Sequence, residues 1–342
     1  MNTQNGRQPS RQRQNASQPK GGSVSTETLF CFAIAAILIL INFRIFSGII
    51  TENPDKIQTI PVDADTEARI IAEDQAKNAL EKDIQNNFIE IDVNADDTKV
   101  GDLVLVNNTH PFSFDSVPSK VKKEELVVFY GKQSDDYVVS YPSREKITEE
   151  AIKAFNDLTA DFAAEKGIRN LLVLDSYRSY EDQQRVYETK GPEIATIPGC
   201  SEHHTGLAFD LEIHGVGDFD GTGDYAWVAE NCYKYGYILR YAEDKTALTG
   251  ISYEPWHFRY VGKEHAYFMH TNNLCLEEYV ELLSKYPINS ARLNFTTDSG
   301  EKYMIYSAAV TGESGKIHVP NSLEYTLSGD NNGHVIISCK IP

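Results

Sequence analysis

Ser201-Glu202-His203-His204-Thr205-Gly206-Leu207-Ala208-Phe209-Asp210 is the stretch from which the rest of the chain is best read. If Gly206 ends a turn and Leu207 to Ile213 is a strand, alternation sends Leu207, Phe209, Leu211 and Ile213 to one face. Ala208, Asp210 and Glu212 go to the other. A carboxylate opposite an aliphatic row, beside the small side chain of Ala208, suits the floor of a cleft that takes an ion, and His203 stands just before that strand. Its partner is Glu254-Pro255-Trp256-His257. Zinc accepts imidazole nitrogen and carboxylate oxygen, and a catalytic zinc keeps three protein ligands and an open position. His203, Asp210 and His257 supply three. Glu254, three residues before a ligand, is placed to take a proton from water at the metal and pass it to a leaving amine. Pro255 argues against a helix-borne pair of histidines. Taken singly, each of these residues would more often be structural; together they point to metal-assisted amide hydrolysis.

The pattern Ser201-x-His203-x-x-Gly206-x-Ala208-x-Asp210 followed by Glu254-x-x-His257 resembles the signature of the zinc D-alanyl-D-alanine carboxypeptidases and dipeptidases of bacterial cell walls and vancomycin resistance (peptidase family M15). Tyr177-Arg178-Ser179-Tyr180-x-x-Gln183 and Tyr253 to Tyr260 resemble its VanY-type carboxypeptidase branch. The resemblance covers roughly residues 100 to 286. It implies an α+β fold with a small central antiparallel sheet and flanking helices, hedgehog-like, and one catalytic Zn2+ ion. It further implies removal of the C-terminal D-alanine from peptidoglycan stem pentapeptides or their lipid-linked precursor, with water at the zinc as nucleophile and Glu254 as general base and acid. Arg178, Gln183 and Ser201 carry over as substrate-contacting residues, Arg178 also as the group that stabilises the oxyanion. L,D-carboxypeptidase or endopeptidase action on the same stems, and a non-catalytic wall-binding module, stay open as alternatives.

Upstream, residues 1–26 are rich in Gln, Ser, Asn and Gly with four basic residues and no acid, which reads as a disordered cytoplasmic tail. Leu29 to Ile41 is uninterruptedly apolar and Ile45 to Ile50 resumes after Arg44. With that Arg at the interface, 27–50 is expected to form a single transmembrane anchor, catalytic part outside. A cleaved signal peptide is the competing reading. Residues 51–95 read as an acidic stalk with a helix from Asp63 to about Gln85. The net charge of −18 argues against a nucleic-acid partner.

The catalytic domain is assigned to 96–286. Leu103 to Asn107, Leu126 to Tyr130, Tyr137 to Tyr141 and Ile168 to Leu174 read as strands. Thr148 reads as an N-cap and Gly167 as the stop of a helix whose Ile152, Phe155, Leu158 and Phe162 share a face. Ser179 with Asp182 reads as the cap of a second helix running to Lys190, so Arg178 sits at a strand-to-helix turn, where its guanidinium can point into the cleft. A surface ion pair is the plain alternative for that Arg. Residues 287–342 turn β-prone, with runs at Ala291 to Phe295, Met304 to Ala309 and His334 to Ser338, and read as a small C-terminal β-rich appendage. Cys31 falls in the expected span and no Cys-x-x-Cys pair occurs, which leaves a cysteine zinc site unsupported. Ser119-x-x-Lys122 and Ser143-x-x-Lys146 match a fragment of the serine carboxypeptidase pattern, but its companion triplets are absent.

Overall fold

The computed structural model of the chain describes residues 64–342. The expected cytoplasmic tail, the membrane anchor and the first part of the stalk lie outside these residues. Among the described residues no helix is long and apolar enough to cross a membrane. Lys77–Pro342 forms one compact unit, and the residues up to Ala76 belong to another.

The stalk helix expected from Asp63 spans Ala64–Asn87. Its last turns belong to the larger unit, where Asp83 pairs with Arg292 at 2.7 Å. Directly after it, Phe88–Asn94 forms strand β1, a segment that the sequence reading placed in the stalk. Phe88 and Val93 are buried there.

In chain order the next strands are β2 (Leu126–Val128), β3 (Val138–Val139), β4 (Lys146–Thr148), β5 (Leu171–Asp175), β6 (Ala208–Ile213), β7 (Gly217–Asp218), β8 (Tyr237–Leu239) and β9 (His257–Tyr260). The central sheet runs β3-β5-β6-β9-β8, with β7 folded back on β6. Only the β3/β5 pair is parallel. The fold is therefore the α+β arrangement around a mainly antiparallel sheet that the resemblance implied.

The helix Glu149–Lys166 covers one face of this sheet. Thr148 caps it by accepting from the Ala151 N–H, and Gly167 ends it with φ 71°. Ile152, Phe155, Leu158 and Phe162 pack with Leu171, Val173, Phe209, Leu211 and Phe258 in one core. Alternation along β6 does what the sequence pattern suggested: Phe209, Leu211 and Ile213 enter this core, and Asp210 faces away from it.

Gly206 makes the turn into β6. It holds φ 67°, and a Cβ there would collide with the side chain of Leu126. Gly206→Ala combines a strained backbone with a clash. It is expected to destabilise the fold by about 1–3 kcal/mol, read as a lower midpoint in urea unfolding.

The chain ends with β10 (Leu293–Thr296), β11 (Lys302–Ala309), β12 (Ser314–Pro320), β13 (Tyr325–Gly329) and β14 (His334–Ile341). Strands β10-β11-β14-β13 make a second antiparallel sheet, and β12 pairs with β1. Alternation splits its residues between two cores. Leu293, Ile305 and Ile336 pack with Leu276, Tyr279, Val280 and Leu283, from the helix Leu276–Ser284. Met304, Tyr306, Val335 and Ile337 pack with Phe88, Val93, Ile317 and Val319. The appendage thus shares a core with the helices that follow the catalytic motif.

Leu103 to Val106 is buried as expected but forms no strand. Its polar backbone is satisfied without a ladder. Arg259 donates to the carbonyls of Asp102 and Val104, the Leu103 N–H donates to Ser328 Oγ, and the Leu105 N–H donates to the Asp330 carbonyl. The described cysteines Cys200, Cys232, Cys275 and Cys339 are all buried and free.

Candidate metal centre and active site

Sheet register brings the site together. Asp210 on β6 lies opposite His257 on β9 and opposite Asp175 on β5, and directly paired residues share a face. His203 comes from the 3-10 turn Glu202–Thr205 that precedes β6. One ligand atom each from His203, Asp210 and His257 lies within 4.8 Å of the others.

The orientation of each ring is fixed from behind. His203 Nδ1 is 2.7 Å from the Ser176 carbonyl, so it carries the proton and leaves Nε2 with its lone pair, 3.6 Å from Asp210 Oδ1. His257 has the opposite arrangement: Nδ1 is 3.0 Å from Asp210 Oδ1 and Nε2 is 3.4 Å from Glu202 Oε2. Asp210 Oδ1 is buried without a hydrogen-bond partner, and an orphaned buried oxygen is costly unless something else meets it.

These residues fit a zinc ion. Ligand atoms about 2.0–2.1 Å from a tetrahedral zinc stand about 3.3 Å apart, and the separations of 3.0 and 3.6 Å bracket that value. Two imidazoles and a carboxylate are a donor set that zinc accepts. The electrostatics agree. Burial opposes charge on Asp210, yet the adjoining His203 and His257 rings hold its carboxyl well below the usual range. Burial likewise opposes charge on His257, but the carboxylates of Asp210 and Glu202 on either side of the ring push it up to about 9. The cleft favours positive charge at this point.

Glu254 stands at the rim. Its backbone N–H donates to the Tyr241 carbonyl and its carbonyl accepts from the His257 N–H, which fixes the turn. Its carboxylate lies 3.7 Å from His257 Nδ1. Burial raises its pKa, with His257 partly opposing.

Arg178 occupies the turn between β5 and the helix Tyr180–Lys190, which Ser179 and Asp182 cap reciprocally. Its Nε and Nη2 donate to Asp175 Oδ2 at 2.9 and 2.6 Å, Nη1 donates to Gln183 Oε1 at 3.0 Å, and Nη2 is 3.6 Å from Asp210 Oδ2. The guanidinium therefore does reach the cleft. Gln183 is buried and its amide nitrogen donates to the Thr196 carbonyl at 2.8 Å, so its carboxamide is turned to Arg178 and Thr196. Ser201 is buried, and its carbonyl accepts from the His204 N–H.

His204, the other histidine of the motif, uses both ring nitrogens elsewhere: Nδ1 donates to the Arg178 carbonyl and Nε2 accepts from the Gly199 N–H. Trp256 packs on the main core. Ser119, of the first Ser-x-x-Lys match, gives its hydroxyl to Asp97 at 2.6 Å.

Glu202 was not singled out by sequence reasoning, and it lies at the centre of the site's buried charge. Its side chain bonds Arg240 and Arg259. Burial opposes its ionisation, but the two guanidinium groups hold it well below the ordinary carboxylate range. The available hint was the position of Arg259, which alternation places on the same side as His257.

The profile of the VanY family, described as D-alanyl-D-alanine carboxypeptidase, matches residues 144–263. A D-alanyl-D-alanine carboxypeptidase of Enterococcus faecium is 36% identical over 242 residues, covering 70% of this chain and 75% of the relative. The chain belongs to the VanY family. A bifunctional D-Ala-D-Ala dipeptidase and D-Ala-D-Ala carboxypeptidase, VanXYC of Enterococcus gallinarum, is 33% identical over 198 residues, covering 54% of this VanY-family chain and 95% of the relative. Among solved structures, the vancomycin-resistance D,D-dipeptidase VanXYg, in complex with a D-Ala-D-Ala phosphinate analogue, superposes with a TM-score of 0.64 at 26% identity. It covers 74% of this chain and 99% of that one.

Proposed function

We propose that this VanY-family chain is a membrane-anchored zinc carboxypeptidase that removes the C-terminal D-alanine from peptidoglycan stem pentapeptides. The observation that carries the reading is the convergence of His203, Asp210 and His257 around the orphaned Asp210 Oδ1, with Glu254 beside them. Family membership and the substrates printed in the relatives' names support the choice of D-Ala-D-Ala. Residues 27–50 are the anchor in this reading, with the catalytic part outside the cell, and the lipid-linked precursor is a second source of the same stem.

His203 Nε2, an Asp210 carboxylate oxygen and His257 Nδ1 would hold the ion. Zinc, when bound, supplies a Lewis acid that polarises the scissile carbonyl and eases deprotonation of water. Glu254 takes the proton from the attacking water and delivers it to the departing amine. Arg178 presents a preorganised cation to the oxyanion or to the terminal carboxylate, held in place by Asp175 and Gln183. On this geometry Gln183 acts by orienting Arg178, and Ser201 by supporting the turn that bears His203.

The direct test incubates metal-loaded and chelator-stripped protein with pentapeptide stem, tetrapeptide stem and free D-Ala-D-Ala, read by mass spectrometry. Zinc-dependent loss of one alanine from the pentapeptide is the expected result. Cleavage of the tetrapeptide alone moves the assignment to L,D hydrolysis. Cleavage of the free dipeptide supports a second reading, D-Ala-D-Ala dipeptidase action, the activity printed in the names of VanXYC and VanXYg.

A further inference from the structure

Four charges lie against the metal centre: Glu202, Arg240 and Arg259, all buried, and the partly buried Glu277. Two are negative and two positive. Glu202 divides its carboxylate between two tasks. Oε1 accepts from Arg240 Nε at 2.7 Å and from Arg259 Nη1 at 2.9 Å. Oε2 is turned to His257 Nε2, 3.4 Å away.

Both guanidinium groups are used up in holding this arrangement. Arg240 grips Glu277 with Nη1 and Nη2, at 2.9 and 2.6 Å. Arg259 donates from Nη2 to the carbonyls of Asp102 and Val104, each at 2.9 Å, and from Nε to the Tyr260 carbonyl at 3.0 Å. The side chains of Glu202, Arg240 and Arg259 have no exposed surface.

We infer that Glu202 is a positioning residue for His257, fixing the ring and its tautomer so that Nδ1 keeps a lone pair for the metal. This rests on the zinc reading above and deepens it. The two histidines differ in a way that exposes the role. His203 is fixed by a main-chain carbonyl, which no substitution removes. His257 depends on a side chain. Without an acceptor at Nε2, the neutral ring is free to place its proton on Nδ1, aimed at Asp210, and the lone pair then points away from the other two ligands. Hydrogen bonds to the far nitrogen of a ligating histidine raise its basicity and set its orientation. A purely stabilising role is a weaker account of this cluster, because buried ion pairs add little net stability over apolar residues of the same size. The Arg pair holds Glu202 by Oε1, so that Oε2 stays turned to His257 Nε2.

The test uses the full chain and compares wild type, Glu202→Gln, Glu202→Asp and Arg292→Met. Arg292 is buried in the C-terminal core, so its variant controls for lost stability alone. Zinc affinity is measured by chelator competition, and ligand geometry by the visible absorption of the cobalt-substituted protein. Glu202→Gln is expected to weaken zinc binding about 10- to 100-fold and to alter the cobalt spectrum, while Arg292→Met keeps wild-type values for both. Should Glu202→Gln not fold, Glu202→Asp carries the same test. It retains the charge between the two arginines and withdraws the carboxylate from His257 by one methylene. A folded Glu202 variant with wild-type affinity and spectrum overturns the inference and leaves the zinc reading standing. A wild-type chain that binds no zinc overturns both.

Discussion

Glu254→Gln is expected to bind zinc as tightly as the wild type and to lose about 100- to 10,000-fold in kcat/KM on a pentapeptide stem. The geometry separates Glu254 from the three donors. His203, Asp210 and His257 cluster with one ligand atom each within 4.8 Å of the others, a group that does not include Glu254, and the Glu254 side chain is more exposed than either histidine. Glutamine keeps the shape but cannot accept a proton from water. Burial already shifts Glu254 upward, toward the range in which a carboxylate both takes and returns a proton efficiently. Asp210→Asn is the contrasting variant. It removes a ligand charge, so its loss of activity follows its loss of zinc. Activity assays paired with zinc quantification of the purified proteins distinguish the two. A zinc-loaded Glu254→Gln enzyme with wild-type turnover removes Glu254 from the proton-transfer role, and loss of zinc from that variant makes it a ligand.

Sequence patterns exposed the site more readily than its support. Alternation through Phe209, Asp210 and Leu211 is a local property of one strand, and caps such as Thr148 and Ser179 act over three residues. These were legible because the causes sit within a few positions of each other. Glu202 was not. An acid in a short turn ordinarily faces water, and what buries it comes from Arg240 and Arg259, 38 and 57 residues away. Leu103 to Val106 misled for a related reason. A short apolar run has the same pattern whether its carbonyls meet a neighbouring strand or, as here, the fork of Arg259. Strand β1 was missed because it is largely exposed on one side and its register partner, Ile89 against Val319, comes from the far end of the chain.

Truncation after Tyr286 is expected to prevent cooperative folding of the remainder, although the catalytic motifs all lie upstream of the cut. Leu293, Ile305 and Ile336 bury themselves against the helix Leu276–Ser284. At about 1.5–3 kcal/mol for each buried aliphatic side chain, these three contribute about 4.5–9 kcal/mol. A whole domain is stable by only about 5–15 kcal/mol. Polar ties go as well. His265 spans the junction, with Nδ1 2.8 Å from Tyr279 Oη and Nε2 2.9 Å from Ser338 Oγ, so the cut strands a buried ring nitrogen. Strand β1 loses its only strand partner among the described residues, and Leu103 and Leu105 lose Ser328 and Asp330. Since Arg259 binds the carbonyls on either side of Leu103, the damage reaches the residue that holds Glu202. The milder Ile305→Ala should cost about 2–5 kcal/mol with the site chemistry intact, so its zinc affinity stays at the wild-type value below the unfolding midpoint. Circular dichroism and urea unfolding of both proteins check this. A truncated chain that unfolds cooperatively and binds zinc like the wild type would show the C-terminal sheet to be an accessory module, because it shares its core with the catalytic part only if removing it exposes that core.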